Sequence, residues 1–505
     1  MMSSSRGKSN ASSKRSRRSG AAARKRRPYQ KSGDSFYIQH TDKDMLFLIS
    51  EDSGQVIRPP RRTEETGAAI TTDSGWGSVM PLEILHRVFQ LLVDSEGAVP
   101  SMCRVSQVCQ RWYQVAASPI LWRNVSVSVC WVVPTKKNPP NVQKKIQETV
   151  EMLIQKRLSQ VSVFSLHHWS HHVPFILQHV SASCPHLTSL TLSHCSRVTA
   201  DGLLSVAVHC PLLHSLNLQN SQVEPNTVSR FLEVCGARLK SLFLSHSFQI
   251  NGIISKLAGG ACPELRVLEV NTAMKFPEKE LSVAIEALQA SCPKLEVMRI
   301  MNLHWIPRTV SRSSPELPGF KDLQELCLAN STYSYTSDDI CKRLLRDSTN
   351  LRVLDVRGCY RLTPAGICDF PCTDIERLYL GMYCSTMNSV MPVSGCYLMT
   401  RRWQHSLQEL DLTAQSYSEK DLTQALDILA RGGANDTLQS LNLAGTKVTV
   451  LSVKQMLSSC SALIHLDLTS CRNIPRGMKR VYRGEEDIRQ CLSDLSTRVV
   501  DENGE

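Results

Sequence analysis

Beyond residue 161 one hydrophobic phrase, L-x-x-L-x-L, returns eleven times. Its first positions are Leu187, Leu213, Leu239 and Leu265, evenly 26 residues apart, and then Leu295, Leu323, Leu351, Ile375, Leu407, Leu438 and Leu463. The second position is leucine in ten copies and Met298 in the other, and the third is always Leu, Ile or Val. Two apolar residues spaced two apart predict a short strand with one face turned inward. The longer stretch after each strand often reads as a helix, as from Gly202 to His209. Units of this size can bury an apolar face only against their neighbours. The pattern therefore predicts an α/β solenoid, a curved parallel sheet with helices outside it.

Upstream the pattern changes. Residues 33–77 hold one apolar run, Met45 to Ile49, which fits either a short strand or an isolated docking segment. From Met80 the spacing turns helical through Leu82, Leu85, Val88, Phe89 and Leu92, with Pro81 suited to a first turn. Asp94 to Pro100 reads as a loop, and a second helical stretch follows through Met102, Val105, Val108, Cys109, Trp112 and Val115. Pro139-Pro140 and Asn141 open a further amphipathic helix, with Val142, Ile146, Val150, Leu153 and Ile154 on one face. The expected organisation is a tail (1–32), a linker (33–77), a helical module (78–123), a connecting helix (124–160), the solenoid (161–474) and a C-terminal cap and tail (475–505).

Spacing of this kind marks leucine-rich repeats. Cys184, Cys210, Cys262, Cys292 and Cys460 stand just before the phrase, and Cys195, Cys359 and Cys471 just after it. That placement resembles the cysteine-containing class of such repeats. Outward strand positions should form a concave binding face. They are neutral in the early repeats, apolar in the middle at Phe243, Val267 and Met301 with Arg299 among them, and charged later at Asp355, Arg357, Arg377, Tyr379, Glu409, Asp411 and Asp467. Two steps of the array are irregular, one containing Trp305 and one containing Trp403. Exposed there, these rings would favour a partner; buried, they would simply pack longer loops.

The net charge of +12 is carried by one end: residues 1–31 hold eleven Lys or Arg and no acid, which leaves +1 for the remainder. Lys14, Arg15, Arg17 and Arg18, then Arg24, Lys25, Arg26 and Arg27, suit a nuclear import signal, or else a solvated basic tail with loose affinity for nucleic acid. Low apolar content predicts disorder for this tail. No apolar run reaches the roughly 18 residues that cross a membrane. The first residues lack the apolar core of a signal peptide, so the expected setting is nucleus and cytoplasm, with the 19 cysteines as thiols. His167-His168 and His171-His172 are read as surface or packing residues, since two ligands make a weak site and no C-x-x-C pair occurs. No cofactor, metal or catalytic constellation is expected, and neither a membrane nor a nucleic acid is expected as partner.

The segment from Met80 to Trp122 resembles an F-box. The likeness runs through Pro81-Leu82-Glu83-Ile84-Leu85, Val88-Phe89, Leu91-Leu92, Val108-Cys109-Gln110-Arg111-Trp112 and Leu121-Trp122. Met80 stands where the family has leucine, and the span from Phe89 to Cys109 is longer than usual. With the repeats behind it, the chain resembles the F-box and leucine-rich-repeat family. The resemblance implies a non-catalytic substrate receptor of a ubiquitin ligase, with Skp adaptor, cullin and RING subunits as partners and an unknown protein as target. It places adaptor contacts at Pro81, Leu82, Ile84, Leu85, Val88, Phe89, Leu92, Val108, Cys109, Trp112, Leu121 and Trp122. The alternative is a plain repeat scaffold, in which the helical module only caps the array. A receptor must leave part of that apolar surface exposed, whereas a cap would bury it.

Overall fold

The computed structural model describes residues 36–40, 46–50, 80–128, 140–245, 250–271, 280–308, 318–330, 334, 336–382, 394–433 and 436–502. The basic clusters from Lys14 to Arg27 and most of the segments 1–32 and 33–77 lie outside the described residues, as do the side chains of Val142 and Ile146. Two short ladders stand apart from the main sheet. The first pairs β1 (Phe36–His40) with β2 (Leu46–Ser50) antiparallel, so the apolar run near residue 46 is a strand. The second pairs β9 (Glu280–Val283) with β11 (His304–Pro307) in parallel.

Among the described residues the main sheet has fourteen strands. In spatial order they are β3 (Asn124–Ser128), β4 (Val163–His167), β5 (Ser189–Ser193), β6 (Ser215–Asn217), β7 (Ser241–Ser245), β8 (Val267–Asn271) and β10 (Val297–Met301). Then follow β12 (Glu325–Cys327), β13 (Val353–Asp355), β14 (Arg377–Tyr379), β15 (Glu409–Asp411), β16 (Ser440–Asn442), β17 (His465–Asp467) and β18 (Val481–Arg483). Every pair is parallel except the last, in which β18 runs antiparallel to β17. Each of the eleven copies of the phrase supplies one strand, and all thirty-three of its apolar residues are buried. Leu190 and Leu192 turn inward while Ser189, Thr191 and Ser193 turn out and are half-buried, whereas in β12, β13 and β15 the outward Cys327, Asp355 and Asp411 are buried as well.

The sheet starts earlier than the leucine pattern predicts. Residues 124–160 were expected to be a connecting helix, yet Asn124–Ser128 already pairs with Val163–His167. The reason is visible in degenerate copies of the phrase. Trp122-x-x-Val125-x-Val127 and Val161-x-x-Phe164-x-Leu166 fill the same three inward slots, and all six side chains are buried. Only the second part of the segment is the expected helix, Pro140–Arg157. Trp169 ties the first two strands together by donating its indole N–H to Val127 O at 3.1 Å.

The helical module comprises α1 (Leu82–Glu96), α2 (Ala98–Val105) and α3 (Gln110–Ala116), with a 3-10 turn at Pro119–Trp122. The expected loop from Asp94 to Pro100 is instead a helix break. Helix α1 continues to Glu96, Gly97 takes φ 86°, and α2 starts at Ala98. Ala98, Val99 and Met102 are buried, so the segment is drawn into the core.

Downstream, α4 (Pro140–Arg157) leads to the helices outside the sheet: α5 (Val173–Ser183), α6 (Ala200–His209), α7 (Thr227–Cys235), α8 (Ile250–Ala258), α9 (Ile285–Ser291), α10 (Asp338–Leu344), α11 (Pro364–Cys368), α12 (Cys396–Trp403), α13 (Glu419–Arg431) and α14 (Val450–Ser459). Helix α15 (Glu485–Glu502) follows β18 and closes the array with buried Tyr482, Cys491 and Leu495.

One slot after the strands stitches consecutive repeats. Cys195 donates its thiol to Leu166 O at 3.5 Å, Cys359 to Leu328 O at 3.6 Å and Cys471 to Leu443 O at 3.1 Å. Ser221 and Gln415 fill the same slot, donating to Leu192 O at 2.8 Å and Leu380 O at 2.5 Å. Burial pushes the Cys195 thiol up to about 11 and that of Cys359 to about 12, which keeps them protonated as donors. Trp305 and Trp403 are both buried, at 3% and 0% exposure, which settles the two irregular steps in favour of packing. Trp305 donates to Thr336 Oγ1 at 2.8 Å.

Candidate functional site

Two surfaces stand out. The first is on the helical module, where α1 carries two apolar stripes. Leu85 and Phe89 face inward and are fully buried, with Leu92 partly covered. Phe89 meets Trp112 edge-on at 5.2 Å between ring centroids. Arg111 holds the start of α1 by donating to Met80 O at 2.6 Å. The second stripe is Ile84, Val88 and Leu91, spaced i, i+4, i+7 along the same helix, and it is exposed, with Leu91 at 56%. Leu82, Val108, Tyr113 and Ile120 add further exposed apolar surface, Val108 at 62%.

The expected adaptor contacts therefore divide. Pro81, Leu82, Ile84, Val88, Val108 and Cys109 are exposed, and Trp112 and Leu92 are partly covered. Leu85, Phe89, Leu121 and Trp122 are corrected from contact surface to core. Trp122 donates its indole N–H to Ala116 O at 2.7 Å and seats the first strand of the sheet. Leu91 was named in the F-box likeness but not among the expected contacts, and Tyr113 and Ile120 were not singled out from the sequence. A helix apolar on two sides was the signal that could have found them, since the second stripe needs a second cover.

The second surface is the concave face of the sheet. Its charges are largely bound to one another. Arg299 lies between two carboxylates, donating to Glu325 at 2.6 and 2.9 Å and to Glu269 at 3.1 Å. That pairing raises the Arg299 guanidinium, with the Glu325 hydrogen bonds the largest cause. Gln219 donates to Glu269 at 2.5 Å. Arg357 grips Asp355 through two bonds of 2.8 and 2.5 Å and lies over the Tyr379 ring at 5.3 Å. Tyr379 donates its phenol to Glu409 at 2.5 Å, and Arg377 reaches the same carboxylate at 3.3 Å. Burial, then this hydrogen bond, pushes the Tyr379 phenol up.

Asp355 and Asp411 depart from the expected free carboxylates: their exposures are 6% and 5%. Asp411 accepts from Thr413 N at 2.9 Å and Thr413 Oγ1 at 2.6 Å, so it shapes the turn after its own strand. Phe243, Val267 and Met301 sit at outward positions and are half-buried. Asp467 is half-buried at the last parallel strand and accepts from Thr469 N at 2.8 Å.

The histidines beside β4 make a small cluster on the rim. His168 stacks on His194 at 4.6 Å, Gln147 bonds His172 at 2.9 Å, and Ser170 bonds His171 at 2.8 Å. Burial lowers His167 and His168, and neighbouring imidazoles add to that. Among the described residues, no group of three or more His, Cys, Asp or Glu is placed to hold a metal ion. Among them, too, no helix is long and apolar enough to cross a membrane.

Comparison with known proteins bears on the first surface. Residues 78–128 match the F-box-like domain family. The chain is 25% identical over 384 residues to F-box/LRR-repeat protein 4 of Bos taurus, a match covering 75% of this chain and 49% of that protein. It is 22% identical over 217 residues to F-box protein SKIP19 of Arabidopsis thaliana, covering 43% of this chain and 56% of that one. The chain thus spans about half the length of the curated relatives it matches. A crystal structure of a Rad7 and Elc1 complex in yeast aligns over 82% of this chain and 85% of its own, with 18% identity and a TM-score of 0.38. The chain therefore combines an F-box-like domain with a leucine-rich-repeat solenoid.

Proposed function

We propose that the protein is the substrate-recognition subunit of an SCF-type cullin-RING ubiquitin ligase. The carrying observation is the uncovered apolar surface of the helical module, the stripe Ile84, Val88 and Leu91 together with Leu82, Val108 and Ile120. A module that only capped the solenoid would bury these side chains; here the capping is done by Leu121 and Trp122, which leaves the others free for a partner. Each is about half exposed, so covering it releases about 1 kcal/mol. The F-box-like match over residues 78–128 supports a Skp adaptor as that partner, with cullin and RING subunits beyond it. We place the chain in the F-box and leucine-rich-repeat family, as a protein similar to F-box and leucine-rich-repeat protein 6, on the long span from Phe89 to Cys109 and the ending Arg476 to Arg480.

In this reading the chain contributes no catalytic group. It holds a target on the concave face and raises the effective concentration of its lysines near the conjugating enzyme. The basic clusters at Lys14–Arg18 and Arg24–Arg27 act as an import signal, so the receptor works in nucleus and cytoplasm. Recovery of the tagged full chain from cells tests the proposal. The wild type should bring down adaptor and cullin together, and Leu91→Asp with Val108→Asp should bring down neither while remaining folded. A wild type that recovers neither partner defeats it.

A further inference from the structure

We infer that the rim at the C-terminal end of the solenoid receives an acidic segment of the target, a run of Asp or Glu side chains. The inference rests on the receptor reading above and adds the chemistry of what is received. Charge along the chain sets the argument. Residues 443–484 hold seven Lys or Arg and one acid, Asp467. They span α14, β17, β18 and the two rim loops that follow β16 and β17. The start of α15 answers part of that charge. Asp487 takes the Lys479 ammonium and accepts from Arg483 N at 2.9 Å, and Glu485 is held by Arg489 at 2.8 Å. A count through Arg489 takes in those acids, with Glu486, and still leaves eight bases against four acids, a local charge of +4. Residues 32–505 together carry only +1, so the remainder of that body stands at −3 and this end is its cationic pole.

Two of these cations repeat a single position. Lys447 stands five residues past Asn442 and Arg472 five past Asp467, and those two strand residues pair in register. Asn473 ties the loops together by donating to Lys447 O at 3.2 Å. Both cationic side chains are exposed, and among the described residues neither is paired with a carboxylate. Arg476 follows in the same loop and is exposed too. The loop is braced from beneath. Ile474 and Met478 are buried, Arg480 donates to Ile474 O at 3.3 Å and Pro475 O at 3.1 Å, and Leu468 N donates to Arg480 O at 2.7 Å. Carbonyls satisfy Arg480 without neutralising it, so its charge adds to the patch. Like charges held close on a fixed surface favour a polyanion. The kind of polyanion follows from what the patch lacks. Single-stranded nucleic acid is held by exposed rings on which its bases stack. Tyr482 is the one Phe, Trp or Tyr in residues 443–484, and it is fully buried. An acidic polypeptide needs only the charges, and this rim borders the concave face.

The test uses the purified full chain and a fluorescent oligo-glutamate peptide, with oligo-thymidylate as control. Oligo-glutamate should bind, and the binding should weaken as salt rises. Lys447→Glu with Arg472→Glu should weaken it about tenfold. Arg401→Glu with Lys420→Glu, the same charge change at exposed positions on α12 and α13, should not. The basic residues 1–31 are common to all three chains, so they cannot produce the difference. Unchanged affinity in the first pair, an equal loss in the second, or a loss in the first pair confined to oligo-thymidylate would overturn the inference. Adaptor capture by the same preparations reports on the receptor reading separately. Probe binding at the patch without adaptor capture defeats that reading and supports the acidic preference; adaptor capture without probe binding does the reverse.

Discussion

Cys359 shows what a buried thiol does in a stacked repeat. Its sulfur fills apolar volume and its S–H answers the Leu328 carbonyl of the preceding repeat. Replacing it with alanine removes both, and Cys359→Ala should cost about 1–2 kcal/mol of unfolding free energy in a urea titration. Burial raises this thiol to about 12 from an ordinary value of 9.0, so the folded state holds its proton more tightly. The associated stability is fully present below pH 9 and is lost as pH rises toward 12. Wild type should therefore lose more stability between about pH 8 and pH 10.5 than Cys359→Ala does; equal losses would contradict the assignment. Among the described cysteines, exposed Cys109 should react first with a thiol reagent at about pH 8, before the buried repeat cysteines. The same scale explains one thing the sequence hid. Asp355 and Asp411 look like free charges on outward positions, yet Arg357 and Thr413 fold over them, and such pairing depends on neighbours that spacing does not reveal.

Between elements, one carboxylate joins two helices. Asp421 sits in the first turn of α13, behind its Ser418 cap, and is buried. It accepts from the backbone N–H groups of Gly395 at 3.0 Å, Cys396 at 3.1 Å and Tyr397 at 3.4 Å, at the start of α12. A negative group there satisfies amides that a helix leaves unpaired and complements its dipole. Asp421→Ala should lower unfolding free energy by about 2–4 kcal/mol, and Asp421→Asn by less, because its amide oxygen still accepts. A wild-type urea midpoint in Asp421→Ala would rule this out. Elements were legible where the pattern was regular. Eleven phrases became eleven strands because an apolar side chain, nearly always leucine, filled every inward slot. The first strand was missed because Trp122, Val125 and Val127 do the same work with other side chains. Helix α1 was read correctly as a helix, but periodicity alone could not say that its Leu85–Phe89 side was covered and its Ile84–Val88–Leu91 side open.

For the whole molecule the helical module and the solenoid are one continuous construction. Trp122 belongs to both: it ends the module's last turn and fills the first inward slot of the sheet. Arg157, at the end of α4, lies over the ring of Tyr113 on α3 at 4.8 Å and makes a second tie between the two parts. The apolar stripe of α1 is thereby carried on a rigid base at one end of the array, with the concave face on the strands that follow. Calorimetric titration of the purified full chain with a Skp adaptor tests this arrangement most directly. The account predicts saturable binding with a negative heat-capacity change, the mark of apolar burial, and a loss of at least about a hundredfold for Leu91→Asp with Val108→Asp. Absence of binding by the wild type, or equal affinity in the doubly substituted chain, would contradict it.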